Sequence, residues 1–378
     1  MTAAPLIQGW CPGALRPMAS GDGLVVRVRP HAGRLSPAQA AGIAAAARLH
    51  GNGLIDLSAR GNVQLRGVRP DTHAPLIADL SALGLIDRDL AGETRRNITV
   101  SPFAQADALA LALEDALAAA PDLPGKFGFA LDVAASRWLD AAPGDVRIER
   151  GASGGLILRA DGLPTGRPVT LAEAPALAVD MAHWFVAAGG VIQGRGRMAA
   201  LVARGVRPPE SLTGAEPPAP ALPRPGPGLF AEGALVALAF GQMQAATLEA
   251  LAATCHDLRL TPWRMLLLEG AVALPTIAGL ITDPQDPALR VIACTGAPAC
   301  PQALAATRSL ALQLAPLVPQ DGTLHVSGCA KGCAHPAPAP LTLTATATGF
   351  AVIRNGRASA PGPVIAPADL PTLLTGTP

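Results

Sequence analysis

The 378-residue sequence has no tyrosine, few other aromatic residues and only 15% charged residues. Its formal net charge of +1 argues against a general nucleic-acid-binding protein, which would carry a basic excess or a basic face. No apolar run is long and clean enough to span a bilayer, and the first residues lack the pattern of a secretory signal. We therefore expect a cytoplasmic protein that binds neither membrane nor nucleic acid. The hydrophobic content of 50% excludes a disordered chain and predicts two or three packed domains.

Cysteine is scarce, but it is clustered. Four of the six cysteines lie within about forty residues of one another, and these are Cys294, Cys300, Cys329 and Cys333. In a large chain without a secretory signal, such clustering favours metal or redox chemistry over disulfides. The sequence assigns no role to the remaining two, Cys11 and Cys255.

The spacing of the four clustered cysteines is C-x5-C followed by C-x3-C. Four thiolates from two loops can bind a [4Fe–4S] cluster, and thiolate sulfur suits iron–sulfur clusters or zinc. Structural zinc sites have cysteines roughly two to four residues apart within a pair, so the five-residue gap fits zinc poorly. Four unconnected buried cysteines are the remaining alternative. The spacing favours the [4Fe–4S] cluster.

The two halves of the sequence share one order of predicted strands and helices. In the first half, residues 23–29 alternate like a strand, and Ser36 suits the N-cap of a helix at residues 37–50. Two further strands are predicted at residues 54–58 and 63–66, on either side of a turn.

The same order of elements returns in the second half. There, a strand is predicted at residues 234–240, a helix to about residue 254, and strands at residues 257–261 and 265–270. Each half continues with a helix rich in alanine and leucine and closes with hairpin strands. The two helices are predicted at residues 107–119 and 302–317, and the hairpin strands at residues 155–162 and 349–356.

This duplication predicts an α+β protein in which two ferredoxin-like half-domains pair about a pseudo-twofold axis, each followed by a mixed α/β lobe. The predicted units are a first ferredoxin-like half at residues 1–85, a first α/β lobe with a cationic pocket at 86–206, a linker at 207–228, a second ferredoxin-like half at 229–285, and a cluster-binding α/β lobe at 286–378. The linker is rich in proline, and we expect it to be extended and without chemistry.

The cysteine motif within a duplicated chain resembles the siroheme-dependent sulfite and nitrite reductases, and the resemblance covers nearly the whole chain. It implies a reductase-like fold in which Cys333 matches the cysteine that also bridges to the siroheme iron. Residues 58–67 (SARGNVQLRG) resemble the reductase loop that presents an arginine to the macrocycle and substrate. Residues 95–97 resemble the second arginine segment, and residues 123–128 the Lys-x-Lys segment.

By this likeness, Arg60, Arg96 and Lys126 are the implied catalytic residues. A tetrapyrrole that bears many carboxylates, or an oxyanion, needs cations around it, and the arginine fork pairs with carboxylates in bidentate fashion. The candidate substrate-binding residues are Arg60, Arg66, Arg95, Arg96 and Lys126.

Position 128 departs from the reductase pattern, because Gly128 stands where the reductases have the second lysine. Within the same superfamily, the chain resembles the precorrin-3B synthase family in residues 11–13 (CPG), 126–129 (KFGF) and 326–336 (VSGCAKGCAHP). The last segment has Ala330 and Lys331 where reductases more often have proline and asparagine.

This second resemblance implies an oxidoreductase of the monooxygenase type in cobalamin biosynthesis. Its substrate, precorrin-3A, would occupy the pocket in which reductases hold siroheme. Dioxygen would hydroxylate the C20 meso carbon, and a ring A acetate would close a γ-lactone to give precorrin-3B. The implied cofactors are a [4Fe–4S] cluster, which would pass on electrons from an NADH-linked donor, and a mononuclear non-haem iron.

The sequence does not identify the ligands of a second iron. Such iron prefers two histidines and a carboxylate, and the sequence has no H-x-D or similar pair. His325 and His335 are the best placed, because they flank the C-x3-C loop. Two alternative functions also stay open: a siroheme-dependent sulfite or nitrite reductase, and a non-enzymatic iron–sulfur electron-transfer protein.

Overall fold

The computed structural model describes residues 12–375. In chain order, the α-helices of this range are α1 (Pro37–His50), α2 (His73–Ala82), α3 (Leu90–Arg95), α4 (Asp107–Ala116), α5 (Ala174–Ala187), α6 (Met198–Ala203), α7 (Ala245–Ala252), α8 (Arg308–Leu314) and α9 (Leu370–Thr375). None of them is long and apolar enough to cross a membrane.

The strands of the same range form four sheets. They are β1 (Met18–Ser20), β2 (Gly23–Val28), β3 (Arg34–Leu35), β4 (Leu54–Leu57), β5 (Val63–Val68), β6 (Ile98–Val100), β7 (Phe129–Asp132), β8 (Val146–Arg150), β9 (Leu156–Ala160), β10 (Arg167–Val169), β11 (Gly228–Phe230), β12 (Gly233–Leu238), β13 (Gln242–Gln244), β14 (Leu258–Leu260), β15 (Met265–Glu269), β16 (Leu280–Ile281), β17 (Val291–Ala293), β18 (Leu324–Ser327), β19 (Ala339–Ala345), β20 (Phe350–Gly356) and β21 (Val364–Ile365).

Helix α1 begins where the sequence predicts. The Ser36 hydroxyl accepts a hydrogen bond from the Gln39 backbone N–H at 3.2 Å, and the Gln39 side chain accepts one from the Ser36 backbone N–H at 3.0 Å. This capping box satisfies donors that the first helical turn leaves without intrahelical partners, and Pro37 suits the first helical position.

The two ferredoxin-like halves exchange a strand. The first sheet has the order β1-β2-β5-β4-β13, and the second has the order β11-β12-β15-β14-β3. Strand β13, from the second half of the chain, pairs with β4, and β3, from the first half, pairs with β14. Helices α1 and α7 pack against each other. The predicted pairing of two equivalent halves is therefore confirmed.

Each half is followed by a lobe built on a mixed sheet. The two orders, β6-β7-β8-β9-β10 and β17-β18-β19-β20-β21, are equivalent strand by strand. In both sheets the first three strands run parallel and the last three are antiparallel. The α+β class and the duplicated reductase-like architecture are confirmed by this arrangement.

The helix predicted at residues 302–317 is shorter than expected. Helix α8 begins only at Arg308, and a 3-10 turn follows it. The backbone N–H groups of Ala303 and Leu304 bond to the carbonyls of Cys300 and Gly328 instead of to helical partners. The segment before α8 is therefore folded around the cysteine loops, which the alanine-rich composition did not reveal.

Residues 207–228, predicted as an extended linker, pack along the first lobe. Glu216, Pro218 and Ala221 form isolated β-bridges to that lobe. Arg224 of this segment lines a large cavity.

Candidate functional site

Two neighbouring parallel strands place the cysteine loops together. Cys294 directly follows β17, and Cys329 comes two residues after β18. Strands β17 and β18 pair in parallel, so their carboxyl ends meet at one edge of the sheet. The C-x5-C and C-x3-C loops therefore start side by side, as the motif requires.

Glycines let the backbone wrap closely around the thiols. Gly296 and Gly332 have positive φ values of 71° and 60°, which other residues adopt at a cost. The backbone N–H of Gly328 points to the Cys294 sulfur at 3.2 Å. A Cβ atom at Gly328 would lie only 2.6 Å from the Cβ atom of Ala303. A larger residue at position 328 would push this contact apart.

The four thiols act on one another electrostatically. Burial raises the pKa of the Cys333 thiol, the Lys331 ammonium lowers it, and negative charge on Cys329, Cys294 and Cys300 raises it further. A coordinating thiol is deprotonated, so a bound cationic metal centre would reverse this shift. Between residues 12 and 375, no three His, Cys, Asp or Glu side chains are grouped closely enough to hold one metal ion.

A cavity of about 310 Å³ opens beside these thiols, and we call it the thiol cavity. Cys294 and Cys333 line it on one side. Its cationic lining residues are Arg27, Arg60, Lys126, Arg264 and Arg308. Asp56 is the carboxylate among its lining residues, so the cavity is strongly positive and suited to an anionic ligand.

A larger cavity of about 870 Å³ adjoins the thiol cavity, and we call it the large cavity. Trp138, Trp263 and Phe240 line it together with many aliphatic side chains. The two cavities share the lining residues Ala59, Phe240, Arg264, Ala293 and Ala334, so they adjoin each other. An apolar body with a cationic end is the arrangement expected for an amphipathic anionic ligand.

The ferredoxin-like halves and both lobes supply the cations of the thiol cavity. The Arg60 guanidinium donates a hydrogen bond to the backbone carbonyl of Lys126 at 2.8 Å, which joins the first half to the first lobe. The Asp56 carboxylate accepts hydrogen bonds from Gln242 at 2.9 Å and from Arg308 at 3.3 Å. Asp56 thereby ties the first half to the second half and to the cysteine lobe.

The structure brings Arg60 and Lys126 to the thiol cavity, but the other predicted cations lie elsewhere. Arg96 is buried and forms a two-pronged pair with Asp87 at 2.6 and 2.8 Å. Arg66 is buried and paired with Asp22 at 2.7 Å. Arg95 lies 3.5 Å from Asp122. None of the three is among the residues that line either cavity in the described range.

The sequence reasoning missed Arg27, Gln64, Arg224, Arg264 and Arg308. Arg27 and Gln64 oppose each other on β2 and β5, and their side chains are hydrogen-bonded at 2.9 Å. Alternation along these strands could have placed this pair on the face opposite the core. No local pattern marks the other three, which distant segments bring together.

The histidines predicted for a second iron lie close together. Their rings are 5.6 Å apart. His325 is fully buried, and neither of its ring nitrogens has a hydrogen-bond partner in the described part of the chain. Burial and the neighbouring His335 lower the pKa of His325 to about 4. Of the unassigned cysteines, Cys255 is an exposed free thiol and Cys11 lies outside the described residues.

The paired halves and the four-cysteine site define a protein of the nitrite/sulfite-reductase-like class. Residues 16–83 match the nitrite/sulfite reductase ferredoxin-like half domain. The NirA protein of Mycobacterium tuberculosis has a similar fold, with a TM-score of 0.66, 20% sequence identity, and coverage of 93% of this chain and 79% of that one.

A second relative identifies one family within this class. A precorrin-3B synthase from Sinorhizobium sp. is 30% identical over 401 residues, which cover 95% of this chain and 85% of that protein. The chain belongs to the precorrin-3B synthase family and is an oxidoreductase of the monooxygenase type. The alternative of a non-enzymatic electron-transfer protein is therefore wrong.

Proposed function

We propose that the enzyme converts precorrin-3A to precorrin-3B in aerobic cobalamin biosynthesis. Dioxygen and an NADH-linked donor would be consumed as C20 is hydroxylated and a ring A acetate closes the γ-lactone. One observation carries this proposal: the apolar cavity of about 870 Å³ lies beside a cationic cavity that Cys333 lines. The name of the Sinorhizobium relative supports the choice of substrate.

The cavities fit the chemistry of a reduced tetrapyrrole. A macrocycle of this kind has apolar faces and a rim of acetate and propionate carboxylates. Trp138, Trp263 and Phe240 offer apolar surface for the faces, and the volume lies in the range of small-molecule sites. Arg60 and Lys126 offer charge for carboxylates beside Cys333.

We assign a [4Fe–4S] cluster to the four clustered cysteines. When bound, the cluster would supply single electrons to the neighbouring cavity. The Gly328 N–H, which points at the Cys294 sulfur, would stabilise negative charge on that sulfur. Cys294 and Cys333 both line the thiol cavity, which supports electron delivery to a ligand there.

The predicted cations receive two kinds of role in this proposal. Arg60 and Lys126 would bind the substrate directly, because both line the thiol cavity. Arg66 would hold the first cysteine loop in place, because its guanidinium lies 3.4 Å from the carbonyl of Ala299. Arg96 would stabilise the first half from within, through Asp87 and the carbonyl of Arg29.

The described residues do not fit a mononuclear non-haem iron. His325 and His335 are near each other, but no carboxylate joins them within residues 12–375 to complete a set of three. We therefore assign no step to a second iron.

One observation bears against the siroheme-dependent reductase alternative. A Cβ atom at position 128 would lie 2.9 Å from both the side-chain nitrogen and the backbone oxygen of Asn97. It would also lie 3.1 Å from the Arg60 guanidinium. A lysine therefore does not fit at Gly128 unless Asn97 and Arg60 move.

The test is a conversion assay on protein purified and reconstituted with iron and sulfide without oxygen. Acid–acetone extraction first checks for bound siroheme. Precorrin-3A, a reducing system and isotopically labelled dioxygen are then added, and the product is analysed by mass spectrometry. We expect no siroheme and a product that gains one labelled oxygen atom. Stoichiometric siroheme, together with reduction of sulfite or nitrite, would establish the reductase alternative instead.

A further inference from the structure

Arg264 is held in an unusual backbone conformation at the junction of the two cavities. Its φ is +61°, a left-handed value that costs a non-glycine residue roughly 1–2 kcal/mol. Thr261 fixes the turn, because its hydroxyl accepts hydrogen bonds from the backbone N–H groups of Trp263 at 3.3 Å and Met265 at 3.1 Å. Backbone strain that the surroundings maintain in this way is a reason to look for function.

Gly241 makes room for this arginine. A Cβ atom at Gly241 would lie 2.5 Å from the Arg264 Cβ and 2.9 Å from its Cδ. The arginine stem therefore occupies space that any other residue at position 241 would fill. Arg264 lines both the thiol cavity and the large cavity.

A second arginine reaches the same place from a distant part of the chain. Arg224 belongs to the proline-rich segment that runs along the first lobe, and it lines the large cavity. Its guanidinium donates a hydrogen bond to the backbone carbonyl of Trp263 at 3.2 Å. The residue next to Arg264 in sequence thus holds Arg224 beside the turn.

Between residues 12 and 375, neither the Arg224 nor the Arg264 guanidinium has an acidic side chain within ion-pair distance. Burial and the charge of Arg264 lower the pKa of Arg224. Burial and the charge of Arg308 lower the pKa of Arg264, and Asp56 only partly offsets this. Arg264 is half-buried, whereas Arg224 is exposed at the mouth of the large cavity. Two neighbouring cations in this position are stabilised by an anionic ligand.

We propose that Arg224 and Arg264 form a clamp for a peripheral carboxylate of the macrocycle. This inference rests on the proposed function, which supplies the tetrapyrrole as the ligand. The clamp extends the cationic lining away from Cys333, because Arg264 lines both cavities and Arg224 lines the large cavity alone. It anchors the substrate on the side that the proline-rich segment covers.

The clamp gives the site a means of orienting its ligand. The apolar faces of a tetrapyrrole look alike in its several rotated positions, so aromatic and aliphatic walls alone distinguish them weakly. The rim carboxylates differ in length and position, so two fixed guanidinium forks favour the rotation that offers them an acetate or propionate. The clamp therefore helps to decide which meso carbon lies beside Cys333.

The test uses uroporphyrin, which has eight carboxylates, and coproporphyrin, which has four, as probes for the cluster-loaded protein. Binding is followed by quenching of tryptophan fluorescence, since Trp138 and Trp263 line the large cavity. Arg224→Gln and Arg264→Gln should each weaken uroporphyrin binding roughly tenfold. Arg357→Gln removes an exposed positive charge outside the cavities and should leave binding unchanged.

Two further variants separate clamping from folding. Arg264→Gly removes the guanidinium and also relieves the left-handed backbone, so it should weaken binding without loss of thermal stability. The double variant Arg224→Gln/Arg264→Gln should lose less than the product of the single effects, because both forks hold one carboxylate.

The outcomes distinguish the clamp from the function on which it rests. If the unaltered chain binds uroporphyrin and the arginine variants bind it equally well, the clamp is overturned and the tetrapyrrole site stands. If the unaltered chain binds neither porphyrin, the tetrapyrrole site itself is overturned, and the clamp with it.

Discussion

At the scale of single residues, Gly128 differs from the lysine of the reductase pattern, and its surroundings leave little room for a side chain. Gly128→Lys should lower the free energy of unfolding by about 1–3 kcal/mol, because the new side chain collides with Asn97 and Arg60. Urea unfolding measures this change. Gly125→Lys is the matched control, since a side chain at the exposed Gly125 meets nothing within 4 Å. Equal stability of the two variants would show that Asn97 and Arg60 move aside at little cost in free energy.

Cys333 is one of the two clustered cysteines that line the thiol cavity. Cys333→Ser should abolish or strongly reduce the iron–sulfur absorbance after reconstitution, because a hydroxyl is a poor ligand for iron at this position. Iron and sulfide content and the visible spectrum measure the loss. Cys255→Ser, at an exposed thiol outside the site, should load as fully as the unaltered chain. Full loading of Cys333→Ser would remove this residue from the ligand set.

His325 makes stability depend on pH. Its folded pKa is lowered to about 4, whereas an unfolded histidine titrates near 6.5. Between these values the unfolded chain binds more protons, so the contribution of His325 to stability is complete above about pH 6.5 and is lost as the pH falls toward 4. The full loss is on the order of 3 kcal/mol in the cluster-free chain.

The variant His325→Phe removes this titration while keeping a ring of similar size. It should stabilise the cluster-free chain more at pH 5 than at pH 8, as measured by urea unfolding at both values. A pH-independent effect of His325→Phe would mean that His325 has the same pKa in the folded and unfolded chains.

The site residues that the sequence could predict are those with local patterns. Cys294 and Cys333 belong to a spaced motif, and Arg60 follows a strand in a recognisable loop. Arg96 matches a motif equally well, but its pairing with Asp87 depends on a fold contact that no motif describes. The ion-pair partner of such an arginine is decided by tertiary packing, and a local sequence motif carries no information about it.

At the scale of elements, the turn between β14 and β15 depends on one hydroxyl. Thr261→Val should cost about 1–3 kcal/mol, because the Trp263 and Met265 backbone donors lose their acceptor. The same change should weaken uroporphyrin binding, since this turn carries Arg264. Thr348→Val, at an exposed position, serves as the control in unfolding and binding measurements. Unchanged stability would show that water replaces the hydroxyl.

Elements with a strong period were predictable, and elements shaped by the site were not. Strand β2 and helix α1 follow from alternation and from the cap at Ser36. The start of α8 was misjudged, because residues 303–305 resemble a helix in composition but bond to the cysteine loops. Arg224 was not predicted as a site residue, because the composition of a proline-rich segment does not show whether it lines a cavity.

At the scale of the whole molecule, strand exchange makes the two halves depend on each other. Residues 1–227 and 228–378, expressed separately, should each fail to fold, because each would lack one strand of its sheet and the facing helix. Expressed together, they should form a complex. The intact chain should unfold in one transition by both circular dichroism and tryptophan fluorescence. A fragment that is stably folded on its own would contradict this interdependence.

The strand exchange also bears on the symmetry of the molecule. Two identical subunits that swapped strands would carry every residue twice, at symmetric places. In the single chain the equivalent places have diverged: Cys294 directly follows β17, whereas the buried Ser101 directly follows the equivalent strand β6. The duplicated fold therefore carries thiols at one of two equivalent strand ends and not at the other, so the molecule has one asymmetric site instead of two symmetric ones.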